Sequence, residues 1–325
     1  MAREHYYGGQ AVLEGVMMRG RDQWAVAVRK PNGDVHLEGH DINSIARRFR
    51  ILRWPGFRGV IALGQALAIG IKALTISANQ SAEEDAKLTP RQMAVSMTLA
   101  LVIFVGLFIV LPAYLSGLAR REVGSGLLLN LAEGVFRVGL FLGYLALVGR
   151  MREIRRVFEY HGAEHKTIAA YEHREPLDPA SVDRYSTLHV RCGTNFLLIV
   201  MIIAILVYAF FGSPSLPWRI GSRLLAIPLI AGAAFELLRL GARFHGNPVM
   251  RVLMAPGLWL QKITTKPPAR DQIEVAIAAF ERVRRMELAA GAGESAKDAV
   301  AASPATPPEG AASAAPAAPD GPASR

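Results

Sequence analysis

Four stretches of the chain are almost wholly apolar, and a helix rising 1.5 Å per residue needs about 20 such residues to cross a ~30 Å hydrocarbon layer. Residues 94–119 (AVSMTLALVIFVGLFIVLPAYLSGLA) hold no charge, and Pro112 falls late in the run, where a kink is tolerated. Residues 127–148 are interrupted by Asn130, Glu133 and Arg137. Residues 196–211 (FLLIVMIIAILVYAFF) are uncharged and short, with Gly193-Thr194-Asn195 and Gly212 extending them into the interface. Residues 224–240 contain Pro228, Glu236 and Arg239. A single run of this kind fits a buried core helix; four predict membrane spans.

A fifth stretch, 57–79, has a different pattern. Val60, Leu63, Leu67, Ile71 and Leu74 form one helical stripe, opposite a small-residue face of Ala62, Ala66, Ala68 and Gly70. With Gln65 and Lys72 inside it, the stretch predicts an interfacial or half-inserted helix. A fifth span is the alternative, and it would reverse one end of the topology.

The polar remainder is patterned too. Residues 23–39 alternate around a Pro31-Asn32-Gly33-Asp34 turn and predict a β-hairpin. The glycine-rich GGQAVLEGVMMRG before it fits a strand pair or a loop packed at the membrane face. Residues 248–267 contain an amphipathic run from Val249 to Trp259, and Asp271 caps a helix through Glu287 with Ile273, Ile277 and Phe280 as its buried stripe. The expected fold is therefore mainly α. It is a polytopic bundle of about four transmembrane helices plus the 57–79 helix, with a small α+β cytoplasmic part. Its segments are 1–56 with the hairpin, 57–79, a first transmembrane hairpin 94–148, a loop 149–195, a second transmembrane hairpin 196–241, a helical segment 242–288, and a disordered Ala/Pro-rich tail 289–325. No internal repeat is evident.

Composition agrees with the run pattern: 51% of residues are hydrophobic, 20% are charged and mean hydropathy is +0.24. The formal net charge is +10, and 31 of the 37 lysines and arginines lie in residues 1–93, 149–195 and 241–325. With four spans these three segments share one side, which the positive-inside rule makes cytoplasmic. The expected location is a bacterial inner membrane with both termini in the cytoplasm. The surplus charge thus marks orientation and attraction to anionic lipid headgroups, with clusters at Arg47, Arg48, Arg50, Arg53 and Arg58 and at Arg150, Arg152, Arg155 and Arg156. No RNA-binding motif points to a specific nucleic acid. The opening MAREHYYGGQ has no apolar core, so no secretory signal peptide is expected. A single cysteine, Cys192, excludes an intrachain disulfide and a four-cysteine zinc module. Phosphate-loop, dinucleotide and Gly-x-Ser-x-Gly fingerprints are absent.

The most specific chemistry is His161-Gly162-Ala163-Glu164-His165. On a helix the two histidines share a face one turn apart, with Glu164 beside them, as in the inverted zincin motif. Two neutral imidazoles would ligate a divalent metal, with zinc the candidate, and the carboxylate would serve as general base. A hydrogen-bonded clamp of the same residues is the bland alternative. A third ligand would come from Glu172, His189 or Cys192, and Glu14 is a possible extra carboxylate. Within the spans, Glu133 with Arg137 (i, i+4) and Glu236 with Arg239 (i, i+3) are expected to face inward and pair, or to line a polar pathway; Arg239 also lies where it could snorkel to the interface.

The strings GGQAVLEGVMMRG (8–20), WAVAVRKPNGD (24–34), YHGAEHKTIAAYE (160–172), HVRCGTNFLLIVM (189–201) and PGLWLQKITTKPP (256–268) resemble a bacterial membrane-protein family, domain of unknown function 1385, also called YqhQ-like. The resemblance spans the chain to about residue 285 and adds interest to Glu14 with Met17, Met18 and Arg19, and to Arg191 through Asn195. It implies a multi-span inner-membrane protein and a metal-dependent-enzyme label resting on the same histidine motif. It supplies no substrate, cofactor or catalytic residue. The resulting expectation is metal-assisted hydrolysis of a peptide or lipid-linked substrate at the cytoplasmic membrane face. Two rivals belong to other classes: a non-enzymatic assembly or scaffold factor contacting other membrane proteins or itself, and a small-solute or ion carrier built on Glu133, Arg137, Glu236 and Arg239.

Overall fold

A computed structural model describes residues 7–42, 54, 57–83, 87–118, 126–189, 192–210, 215–244 and 247–302. Four antiparallel strands open the chain: β1 (Gly8–Val12), β2 (Gly15–Arg19), β3 (Gln23–Arg29) and β4 (Val35–Asp41), paired in that order. The 23–39 hairpin is present, closed at Gly33, whose φ of 90° suits glycine. The stretch GGQAVLEGVMMRG is a strand pair, turning at Leu13-Glu14 with Glu14 at φ 50°.

Both faces of β2 and β3 are buried. Val16, Met18, Ala25 and Ala27 face α4 (Arg152–Glu172) and α9 (Arg270–Ala302), meeting Tyr160, Ala163, Ile273, Ile277 and Phe280. Met17, Trp24, Val26 and Val28 face Ile69, Ala73 and Ile76 of α1 (Phe57–Gln80). The alternation of period two thus places one set of side chains in each layer.

Among the described residues, five helices are long and apolar enough to cross a membrane: α1, α2 (Pro90–Leu118), α3 (Gly126–Val148), α6 (Gly193–Phe210) and most of α7 (Leu216–Arg243). Their outward side chains, such as Leu101, Val135, Leu206 and Leu225, are exposed. Apolar surface on this scale marks a partner other than water, and it is compatible with a multi-pass membrane protein. Four such runs were expected, with 57–79 set apart from them. By length and composition α1 joins them, but its contacts differ: Gly59 packs on Gly232 and Phe235 of α7, whereas Ile69 and Ala73 lie on the sheet. The middle segment 149–195 contains α4 and a short α5 (Pro179–Asp183), and α8 (Pro248–Thr264) follows α7.

Two boundaries depart from expectation. The loop expected over 212–223 is helical from Leu216, because Ser215 caps the helix, Pro217 suits its first turn, and Arg219 and Arg223 turn inward. The π-helical turn Gly106–Val110 precedes Pro112 in α2. The chain divides into two compact units, residues 1–287 and 288–325, and α9 continues into the second as far as Ala302. This part of the tail was expected to be disordered. Its alanines favour helix, and no proline intervenes before Pro304. Residues 303–325 lie outside the described residues.

Candidate metal centre

Helix α4 carries His161 and His165 on one face, their rings edge to face with centroids 4.3 Å apart. Cys192 sits immediately before the first residue of α6, and its Sγ lies 3.2 Å from His161 Nε2. One ligand atom each from His161, His165 and Cys192 fall within 4.8 Å of one another. A tetrahedral ion at ~2.0–2.3 Å from each would hold them about 3.5 Å apart, so the set closes on an ion with small shifts.

The imidazoles are held from behind. His161 Nδ1 meets the Thr264 carbonyl at 2.9 Å and His165 Nδ1 meets the Thr187 carbonyl at 2.6 Å. A carbonyl only accepts, so both Nδ1 atoms carry the proton and both Nε2 atoms present a lone pair. His165 is 1% exposed, and its Nε2 makes no hydrogen bond among the described residues. Burial holds His165 below its ordinary pKa and hence neutral, the form that ligates. Burial alone would raise the Cys192 thiol, but the Thr194 hydroxyl and N–H help bring it below its usual range. The Thr194 N–H donates to Cys192 Sγ at 3.3 Å, so the start of α6 favours a thiolate.

Glycines set the close approaches. A Cβ on Gly162 would collide with the Lys266 backbone carbonyl, in the segment whose Lys266 N–H donates to the Phe158 carbonyl at 2.9 Å. Gly162 therefore lets the chain after α8 lie on α4 and deliver the Thr264 carbonyl to His161. Gly9 of β1 similarly makes room for the Glu164 carboxyl. Glu164 is 5% exposed, and its Oε2 has no hydrogen-bond partner. Burial pushes its carboxyl up to about 8, opposed by nearby His161 and reinforced by Cys192.

The raised carboxyl makes folding stability depend on pH in protein that holds no metal. The folded carboxyl keeps its proton to about pH 8, whereas the unfolded one loses it near its ordinary value of 4.5. Between these values the folded state binds more protons, so stability falls as pH rises, by an amount of order a few kcal/mol. Glu164→Gln should flatten this slope in denaturation midpoints measured from pH 5 to 8. An unchanged slope would contradict it.

The other expected residues separate into neighbours and remote groups. His189 stacks near His165 at 5.7 Å between centroids, and its Nε2 meets Glu172 Oε2 at 3.3 Å. These two thus form a pair beside the trio. Asn195 is fully buried and receives a 2.8 Å hydrogen bond from Gln261 Nε2. Gln261, which sequence reading missed, also accepts from the His189 N–H and donates to its carbonyl, both at 2.8 Å. It pins His189 and Asn195 to α8; the available sign was a lone amide inside an amphipathic run. Arg191 lies outside the described residues. Glu14 takes a bidentate contact from Arg156 and a 3.3 Å hydrogen bond from Tyr160, tying the β1–β2 turn to α4 away from the trio. Glu236 is not held by Arg239 as the spacing suggested: Arg58 of α1 binds it through Nε and Nη2 at 2.6 and 2.5 Å, and Arg239 is exposed. Glu133 does bind Arg137, at 2.7 Å, and also Arg219 and Arg223, which sequence reading had placed in a loop.

A family profile, protein of unknown function DUF1385, matches residues 54–286. The chain belongs to this family. It is also 34% identical over 300 residues to the uncharacterized protein YqhQ of Bacillus subtilis (strain 168), covering 86% of this chain and 93% of that protein. No solved structure matches. The family match includes both histidines, Cys192 and the α8 segment that holds His161, while β1 to β4 precede it.

Proposed function

We propose that His161, His165 and Cys192 hold a divalent metal, zinc by the character of the donors, and that the protein is a metal-dependent, hydrolase-like enzyme at the cytoplasmic face of a bacterial inner membrane. The observation that carries this reading is the pair of Nδ1–H groups committed to backbone carbonyls, which leaves two Nε2 lone pairs beside one thiol. Metal-ligating histidines are oriented in this way by their outer hydrogen bonds. Three protein ligands leave a coordination position open, as in catalytic zinc sites. When bound, the ion would supply a Lewis acid and acidify water. Thr264 and Thr187 fix the imidazoles, Glu164 holds a proton at its buried carboxyl, and β1 and α8 restrict access by bulk water.

The start of α6 supports the placement at the membrane. Cys192 adjoins its first residue, so the trio lies at one mouth of the bundle, on the side of the sheet, α4 and α9. In this reading α2, α3, α6 and α7 cross the bilayer. Helix α1 begins beside Gly232 and Phe235 of α7 and reaches the sheet by Ile69, which suits a half-inserted helix. Four crossings place both termini on the side that carries most of the cations.

Cobalt(II) titration of the purified full chain tests the ligand set. The expected result is a near-ultraviolet thiolate-to-cobalt charge-transfer band, lost in Cys192→Ser and kept in His189→Ala. Its absence from the unaltered protein, or its persistence in Cys192→Ser, would overturn the assignment.

A further inference from the structure

The opposite end of the bundle holds a second polar constellation. Glu133 of α3 is 3% exposed and is bound by three guanidinium groups: Arg223 through Nε and Nη2 at 2.7 Å each, Arg219 through Nη2 at 2.8 Å, and Arg137 through Nη2 at 2.7 Å. Arg223 and Arg219 are each 2% exposed, and Arg137 is 9% exposed. Tyr208 lies against Arg137 and Arg223, 5.5 and 5.2 Å from its ring centre. Ser116 donates to Glu133 at 2.8 Å and receives Arg219. Tyr208 is 16 residues along α6 from Cys192, which separates the two constellations by about 24 Å.

Among the described residues this cluster carries one negative and three positive groups. A surplus of two charges in a low-dielectric bundle demands a counter-charge. The hydrogen-bond inventory shows where it would bind. Arg137 Nε is taken by the Phe108 carbonyl at 2.9 Å. In a regular helix the N–H of residue 112 would serve that carbonyl, but Pro112 has none. Arg223 is satisfied by Glu133, the Arg219 carbonyl and Asn130. Among the described residues Arg219 Nε is buried with no hydrogen-bond partner. Gly117 stands next to Arg219 Nη1, where a Cβ would come within 3.3 Å, so residue 117 puts no side chain against that guanidinium. Arg219 is in the first turn of α7 and Ser116 in the last turn of α2, at headgroup depth in a bilayer-spanning bundle.

We infer that Arg219, backed by Arg137 and Arg223, binds a phosphate-type oxyanion, presented by an anionic lipid headgroup or as free phosphate. The planar guanidinium matches the oxygens of phosphate, and one oxyanion both neutralises the surplus and occupies the idle N–H.

The test uses the full chain in two arms. In neutral detergent, inorganic phosphate is titrated against chloride at matched ionic strength, with thermal unfolding as the readout. In phosphatidylcholine vesicles with or without phosphatidylglycerol, lipid retained after extraction is measured by native mass spectrometry. Saturable stabilisation by phosphate alone identifies the free anion, and retained phosphatidylglycerol identifies the lipid. Arg219→Gln should weaken whichever is bound at least tenfold, and Arg239→Gln, at an exposed position, should not. Arg219→Lys, which keeps the charge without the Nε donor, should be intermediate. Failure of both arms to exceed chloride or phosphatidylcholine would overturn the inference, as would equal weakening by Arg239→Gln. The unaltered protein decides the question by itself if the variants do not fold.

Discussion

Replacing Glu133 by glutamine should destabilise the bundle by about 3–5 kcal/mol, the range for removing one partner of a buried ion pair. The carboxylate is the shared acceptor of Arg137, Arg219 and Arg223, which come from α3 and the first two turns of α7, and it also accepts from Ser116 of α2. The amide keeps the shape but loses the charge, leaving three buried guanidinium groups with no counter-ion among the described side chains. Arg137 would still reach the Phe108 carbonyl, so the damage should centre on α7. Thermal unfolding in detergent checks this, with Glu236→Gln as the comparison. The Glu236–Arg58 pair is about a third exposed on each side, and solvent-screened pairs contribute about 0–1 kcal/mol. An effect of Glu133→Gln no larger than that of Glu236→Gln would contradict the shared-acceptor reading.

Removing both α4 imidazoles should abolish metal binding while leaving the bundle folded. His161 and His165 belong to a helix anchored elsewhere: Tyr160, Ala163, Ile168 and Ala170 pack into the sheet core, and Arg156 grips Glu14. Truncation to alanine leaves the Thr187 and Thr264 carbonyls short of a donor, a local cost of about 1–3 kcal/mol each where water cannot enter. The effect on a three-ligand site is much larger, because loss of an outer hydrogen bond alone lowers metal affinity by about 10–100-fold. His189 cannot substitute in place, since it is engaged with Glu172.

Legibility in the sequence followed the range of the forces involved. Spans α2, α3 and α6 announced themselves because membrane helices need long uninterrupted apolar runs. The 23–39 hairpin did so because its turn chemistry is local. The start of α7 did not, because Pro217, Arg219 and Arg223 look like an interfacial loop unless Glu133, far away in sequence, is known to face them. The same non-locality misassigned the partner of Glu236: i, i+3 spacing favoured Arg239, but the Gly59–Gly232 approach brings Arg58 within reach. At the candidate site, the spacing placed His161 and His165 on one face, and three residues remained eligible as third ligand. Only the fold separates Cys192, beside the trio's centre, from His189 and Glu172, which pair with each other. Gly162 looked like a weak point in a helix and is instead the clearance that lets the Thr264 carbonyl orient His161.

Metal content per chain tests the central proposal most directly. The full chain and its His161→Ala/His165→Ala form are purified without chelator, equilibrated with zinc, dialysed and measured by plasma mass spectrometry. About one equivalent per chain in the unaltered protein and almost none in the double variant is the predicted result. Equal, near-zero metal in both would contradict it.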